Sequence, residues 1–123
     1  MIALDNLNNK EILKESITYL EKSGFENIKA KIAGYSTPKS YQKVGSDISM
    51  GPDIEAKRNG ITHYFEISLK SEKPQLLKSK LQFLATVTKM KDYRLKVITR
   101  RGHLKFTQDM LADLHLDKHP IHL

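Results

Sequence analysis

The chain has no cysteine, which excludes disulfides and thiolate metal sites and leaves no sulfur-based indication of redox compartment. No stretch approaches the ~20 apolar residues of a membrane span. The opening MIALDNLNNK contains no apolar run of signal-peptide length. There is no internal repeat and no low-complexity segment. Serine-nucleophile and phosphate-loop motifs, G-x-S-x-G and G-x-x-x-x-G-K, are also absent. These absences lead us to expect a soluble, cytoplasmic protein with no membrane partner.

What is present suits one globular domain over residues 1–123, with a core at about 9–116. At 123 residues the chain is long enough for one core and too short for two. Apolar residues make up 39% of it, at regular spacing, unlike a disordered tail. The 21 Lys and Arg outnumber the 14 Asp and Glu, giving a charge of +7 and a pI near 9.6. A basic domain of this size suggests an anionic partner, most commonly nucleic acid. A solvated lysine-rich surface is the ordinary alternative.

Periodicity predicts a first helix over about Asn9–Ser23, capped by Asn8 or Asn9 and stopped at Gly24. Its buried stripe is Ile12, Leu13, Ile17, Tyr19 and Leu20. Phe25–Ile32 alternates as a strand, with Ile28, Ala30 and Ile32 on one side. Residues 33–51 carry three glycines, a proline and five serines or threonines, and such a long connection is usually functional or mobile. Its Tyr35, Tyr41, Lys39 and Lys43 would suit contact with nucleic acid, or simply a solvated loop.

The stretch GPDIEAKRNGITHYFEISLK, residues 51–70, is the most informative. Asn59-Gly60 signals a two-residue type I′ hairpin, because both central positions need positive φ. That turn pairs Arg58 with Ile61, and so sets Asp53 opposite Glu66, Glu55 opposite Tyr64 and Ile54 opposite Phe65. The face with Ile54, Ala56, Ile61, Phe65, Ile67 and Leu69 belongs to the core. Facing residues have Cα atoms ~4.5–5.5 Å apart, and like charges there destabilise a sheet. Something must offset the repulsion of Asp53 and Glu66, and a divalent cation is the simplest candidate.

Pro74 fits the first turn of a helix to about Met90. Leu76, Leu77, Leu81, Phe83, Leu84, Ala85, Val87 and Met90 spread over more than half its circumference, and Lys78, Gln82 and Lys89 share the narrow polar face. Lys80 falls inside the apolar arc. A strand over Tyr93–Thr99, a basic turn RRGH and a last helix from Phe106 to about Leu116, packing Phe106, Met110 and Leu114, complete the order αβββαβα.

GPD opening one strand, an acid near the end of its partner, a preceding helix ending in GF and a β-α-β-α tail resemble the PD-(D/E)xK nuclease superfamily. Holliday-junction resolvases and virus-type replication-repair nuclease modules look most similar, over about Asn9 to Leu116. The resemblance implies a restriction-endonuclease-like α/β fold with a central mixed four-stranded sheet flanked by helices. It implies hydrolysis of phosphodiesters in duplex or branched DNA with Mg²⁺ (or Mn²⁺), and a homodimer. Asp53 and Glu66 match the metal-binding acids, with the Ile67 carbonyl completing the inner shell. Mg²⁺ accepts few protein oxygens and keeps waters and substrate phosphate. Glu15, beside the apolar stripe of the first helix, stands for the family's helix glutamate. Glu55 reads as an outer ligand or a salt-bridge partner.

One position departs from the family pattern. Two residues after Glu66, where the lysine belongs, stands Ser68. Lys70 shares its strand face but lies ~6.6–6.8 Å further along. Lys80 either reaches in from the second helix or buries its stem and sends its ammonium to water. Lys78, Lys89, Arg100 and Arg101 are candidate phosphate contacts, with Lys39 and Lys43, and Gln82 matches a glutamine some of these nucleases place near the site. His115 and His119 have i, i+4 spacing without an HExxH pattern and read as surface residues. Two rival functions stand beside the nuclease. One is a DNA-binding module that kept the fold and lost catalysis; the other is a basic interaction protein whose carboxylates pair with lysines.

Overall fold

A computed structural model describes residues 6–42, 44–46, 49–71 and 73–123. The order is α1 (Asn6–Lys22), β1 (Glu26–Ala30), β2 (Tyr41–Gln42), β3 (Ser49–Met50), β4 (Ile54–Arg58), β5 (Ile61–Ile67), α2 (Pro74–Lys91), β6 (Arg94–Thr99), α3 (Leu104–Asp113) and β7 (Ile121–His122). Strands β1-β4-β5-β6-β7 form one sheet in that spatial order, and β2-β3 a separate ribbon. The first two pairings of the large sheet are antiparallel and the last two parallel, so the sheet is mixed.

The hairpin register follows from its turn. Asn59 and Gly60 both have positive φ, at 54° and 76°. Strands β4 and β5 pair Arg58 with Ile61, Glu55 with Tyr64 and Ile54 with Phe65, as expected. Helix α1 covers one sheet face. Its Ile12, Leu13, Ile17 and Leu20 pack with Ile54, Ala56, Phe65, Ile67 and Ile98. Helices α2 and α3 cover the other, where Leu77 and Leu81 meet Val97, Met110 and Leu111, and Leu84 meets Tyr64 and Leu95. The arrangement is three layers, helix–sheet–helix.

Several expectations need correction. The sheet has five strands, not four, because the chain returns after α3 and pairs β7 with β6. The connection 33–51 is not wholly irregular, since it contains the β2-β3 ribbon. Asn8 and Asn9 lie inside α1 rather than capping it. Tyr19, Ile61, Leu76 and Met90 are exposed rather than core. Each sits at the margin of its apolar stripe, where a wheel or an alternation alone does not tell a covered edge from an open one. Strand β5 is covered on both faces: every residue of 62–69 is buried, including the acid Glu66, whereas Lys57 of β4 is exposed.

Candidate functional site

The GPD stretch leads into β4 through close backbone contacts. A Cβ on Gly51 would lie 2.2 Å from the Lys39 carbonyl oxygen, so only glycine permits this approach of the long connection. Pro52, just ahead of the strand, needs no ladder hydrogen bond. Asp53 then joins β5 twice: its backbone N–H donates to the Phe65 carbonyl at 3.0 Å, and its Oδ2 accepts the Ile67 N–H at 2.8 Å. The carboxylate therefore closes the end of the ladder where the next backbone pair would stand.

Glu66 lies between Tyr64 and Ser68 on the α2/α3 side of β5, opposite Val97 of β6, and is fully buried. An unpartnered carboxylate there would carry a desolvation penalty of several kcal/mol. Lys80 answers it. Helix α2 turns Leu77, Leu81 and Leu84 to the sheet, and Lys80, one turn from Leu77 and Leu84, projects from the same face. Its ammonium sits 3.0 Å from Glu66 Oε2 and 3.2 Å from Asp53 Oδ1. The oddity in the apolar arc is thus the counter-ion of a buried acid pair, and its ammonium does not snorkel to water. The repulsion expected between Asp53 and Glu66 is offset by a cation belonging to the chain itself.

The electrostatics of the three groups are consistent with this placement. Burial, and then the Asp53 carboxylate, push Glu66 up to about 7 against the pull of Lys80. For Asp53, burial works upward but is outweighed by nearby positive charge, that of Lys80 included, and by the Ile67 N–H, so its pKa lies below the ordinary value. Lys80 is raised despite its burial, because both acids favour the ammonium. It is a fixed positive charge, not a base.

Ser68 occupies a site that would not admit a lysine. It is fully buried under α3, where its Oγ accepts a 2.7 Å bond from Thr107 Oγ1. Its carbonyl accepts from Thr99 Oγ1 at 2.9 Å. A lysine here would drive its ammonium into a closed hydroxyl cluster. Lys70 is exposed beyond the strand end, and its backbone N–H donates to His103 Nδ1 at 2.8 Å. Among the described residues Lys70 has no ion pair with either acid.

The remaining candidates scatter. Glu15 is half exposed and pairs with Arg100 at 2.9 Å, rather than joining the acids. Glu55 pairs with Lys29 at 3.7 Å and accepts the Lys39 N–H at 3.1 Å, so it acts as a salt-bridge partner. Lys78 pairs with Asp113 at 3.2 Å. Gln82, Lys89, Arg101 and Lys39 are exposed, as are His115 and His119. Lys43 lies outside the described residues.

Among the described residues no group of three or more His, Asp or Glu gathers in one place. The pair that could hold a divalent ion is Asp53 with Glu66: oxygen donors from both already converge on one cationic centre. A hard ion that keeps several waters suits such a sparse donor set.

Sequence reasoning missed the hydroxyl cluster of Ser68, Thr99 and Thr107. Three isolated serines and threonines carry no periodic signal, and only the packing of α3 on β5 and β6 assembles them.

No family model matches the chain, and neither a curated protein nor a solved structure matches it.

Proposed function

We propose that the protein is a Mg²⁺- or Mn²⁺-dependent DNA phosphodiesterase of the PD-(D/E)xK type, restriction-endonuclease-like in fold, with its lysine moved from β5 to α2. The observation that carries this reading is Lys80: one ammonium within 3.2 Å of both hairpin acids, from a helix rather than a strand. A buried acid pair with one lysine is an expensive arrangement if stability is all it serves, since apolar residues of similar volume do as well or better. The three-layer fold and the net charge of +7 support the same reading.

In this reading Asp53 and Glu66 hold the ion, together with the Ile67 carbonyl. The bound ion supplies Lewis-acid polarisation of the phosphate and a more acidic attacking water. Asp53 is kept ionised and in place by the Ile67 N–H and Lys80. Lys80, permanently charged, shifts from the acids toward the charge that develops on phosphorus-bound oxygen, where a fixed donor is worth most. Exposed Lys89, Arg101 and Lys39 supply phosphate contacts that position the nucleic acid without reading its sequence. Cutting both strands of a duplex would call for two copies of the chain.

Plasmid nicking tests the reading. Nicking should require Mg²⁺ or Mn²⁺ and vanish in Asp53→Ala and Glu66→Ala. Lys80→Ala should lose turnover while retaining DNA affinity, and Lys70→Ala should behave as wild type. Cleavage that persists in EDTA, or in Asp53→Ala, would refute the mechanism. Metal and DNA binding without any cutting would point instead to the non-catalytic binding module.

A further inference from the structure

Beside the acid pair, α2 and the β2-β3 ribbon enclose a groove of about 650 Å³. Its walls are almost wholly apolar, made by Tyr41, Met50, Ser79, Phe83, Met90 and Lys91. The volume is that of a small-molecule site. Met90 is 80% exposed at its rim, an unusual position for so apolar a side chain.

Three observations say what the groove takes. First, its rings are offered edge and face: Tyr41 and Phe83 meet at 69° with centroids 5.6 Å apart, and the Tyr41 hydroxyl is fixed by a 2.7 Å bond to Tyr64. Second, positive charge gathers on the Tyr41 wall. Lys39 and Lys91 place their ammonium groups 5.6 and 5.4 Å from the Tyr41 centroid, and Lys91 also lies 5.8 Å from that of Tyr93. An aromatic wall beneath paired ammonium groups complements a flat ring carrying an anion, as a nucleotide does. Third, the groove adjoins the acids along the chain on both sides. Met50 precedes Asp53 by three residues, at most about 11 Å of extended chain, and Ser79 is next to Lys80.

We propose that this groove receives an unpaired nucleobase of the DNA strand whose phosphate lies at Asp53 and Glu66. The inference rests on the nuclease reading and deepens it: the preferred substrate is DNA with unpaired nucleotides, and the groove is the reason. Duplex DNA keeps its bases stacked inside and presents only backbone to such a wall. A base leaving the stack rests against Tyr41 and Phe83, while Lys39 and Lys91 neutralise the flanking phosphates.

The experiment uses the full chain with Ca²⁺ in place of Mg²⁺, and two fluorescent DNA probes of equal length. One is a blunt duplex; the other carries a short unpaired run containing 2-aminopurine. The probe with unpaired bases should bind tighter by on the order of 5- to 150-fold, the range of one stacked base, with quenching of 2-aminopurine. Phe83→Ala should remove most of that preference. Met90→Glu alters an exposed side chain and so cannot act by unfolding; it too should lower the preference while leaving duplex affinity nearly unchanged.

Equal binding of the two probes, or a preference untouched by both variants, overturns the proposal, and does so without touching the nuclease reading if plasmid nicking persists. Absence of all DNA binding overturns both. A concentration-dependent dimer that Met90→Glu dissociates, with no change in probe preference, assigns the groove to a second copy of the chain and likewise overturns the proposal.

Discussion

The two faces of the central sheet are both buried but differ in what they bury. The α1 face is almost purely apolar, with Ile54, Phe65, Ile67 and Ile98 against Ile12, Ile17 and Leu20. The α2/α3 face holds Glu66, Ser68, Thr99 and Thr107 alongside its leucines. The first face needs only shape and volume to be stable. The second also buries polar groups, and Lys80 of α2 and Thr107 of α3 bond to Glu66 and Ser68 there. The difference is between a face packed by shape alone and one that also holds a charged pair and a hydroxyl cluster.

Variants on the two faces should therefore fail in different ways. The largest effect should come from the apolar face. Phe65→Ala should lower the unfolding free energy by about 3–5 kcal/mol in a urea titration, with turnover per folded molecule unchanged. Lys80→Ala comes next, on the polar face. Turnover per folded molecule should fall about 10²–10³-fold by plasmid nicking at nearly unchanged DNA affinity, alongside the stability lost when buried Glu66 is left without its counter-ion. If Phe65→Ala reduced the turnover of the folded fraction as far as Lys80→Ala does, the division between the faces would not stand.

Ser68→Lys sharpens the contrast. It places the lysine of the PD-(D/E)xK pattern, which the sequence resembles, in the closed site beneath Thr107. The expected outcome is a loss of about 3 kcal/mol or more without gain in cleavage, because an ammonium is buried with no carboxylate at that spot. Higher nicking activity in this variant, with stability retained, would mean that β5 rather than α2 is the proper seat of the lysine.

The smallest effect concerns the one histidine on the apolar face. His63 is nearly buried, stacks on Phe65 at 16° and meets Phe25 edge-on. Burial, together with the positive charges of Lys96, Arg58 and Arg94, holds its pKa below the ordinary 6.5, against the upward pull of its Ile61 carbonyl contact. The unfolded chain therefore binds this proton more readily. The stability His63 contributes is complete above pH 6.5 and is lost as pH falls toward and through its folded value. Chemical denaturation of wild type and His63→Gln between pH 5 and 7.5 should show the wild type losing more stability on acidification. Parallel profiles would mean that His63 titrates alike in both states.

The hairpin shows how far the chain alone could be read. Asn59-Gly60 sets a register by local backbone geometry, and the period of two then places the side chains from Ile54 to Phe65 on their faces, while Asp53 lies just ahead of the ladder. Helix α1 was legible for the same reason, a local period, with Gly24 at φ 87° as its stop. The candidate site was legible only in halves. A glutamate in a buried alternation and a lysine in an apolar arc were each anomalous alone, and nothing local joined them.

By itself, then, the sequence determined the three helices, the four longer strands and the hairpin register, because each depends on residues near one another along the chain. Tertiary structure alone decided that Lys80, 14 residues beyond Glu66 and on a different element, is their partner. It also decided that Glu15 turns instead to Arg100, that Ser68 is sealed under α3, and that β7 adds a fifth strand. The physical reason is common to all four: a polar group, on side chain or backbone, pairs with whichever group the packing of distant elements brings within about 3 Å, and sequence spacing does not encode that distance.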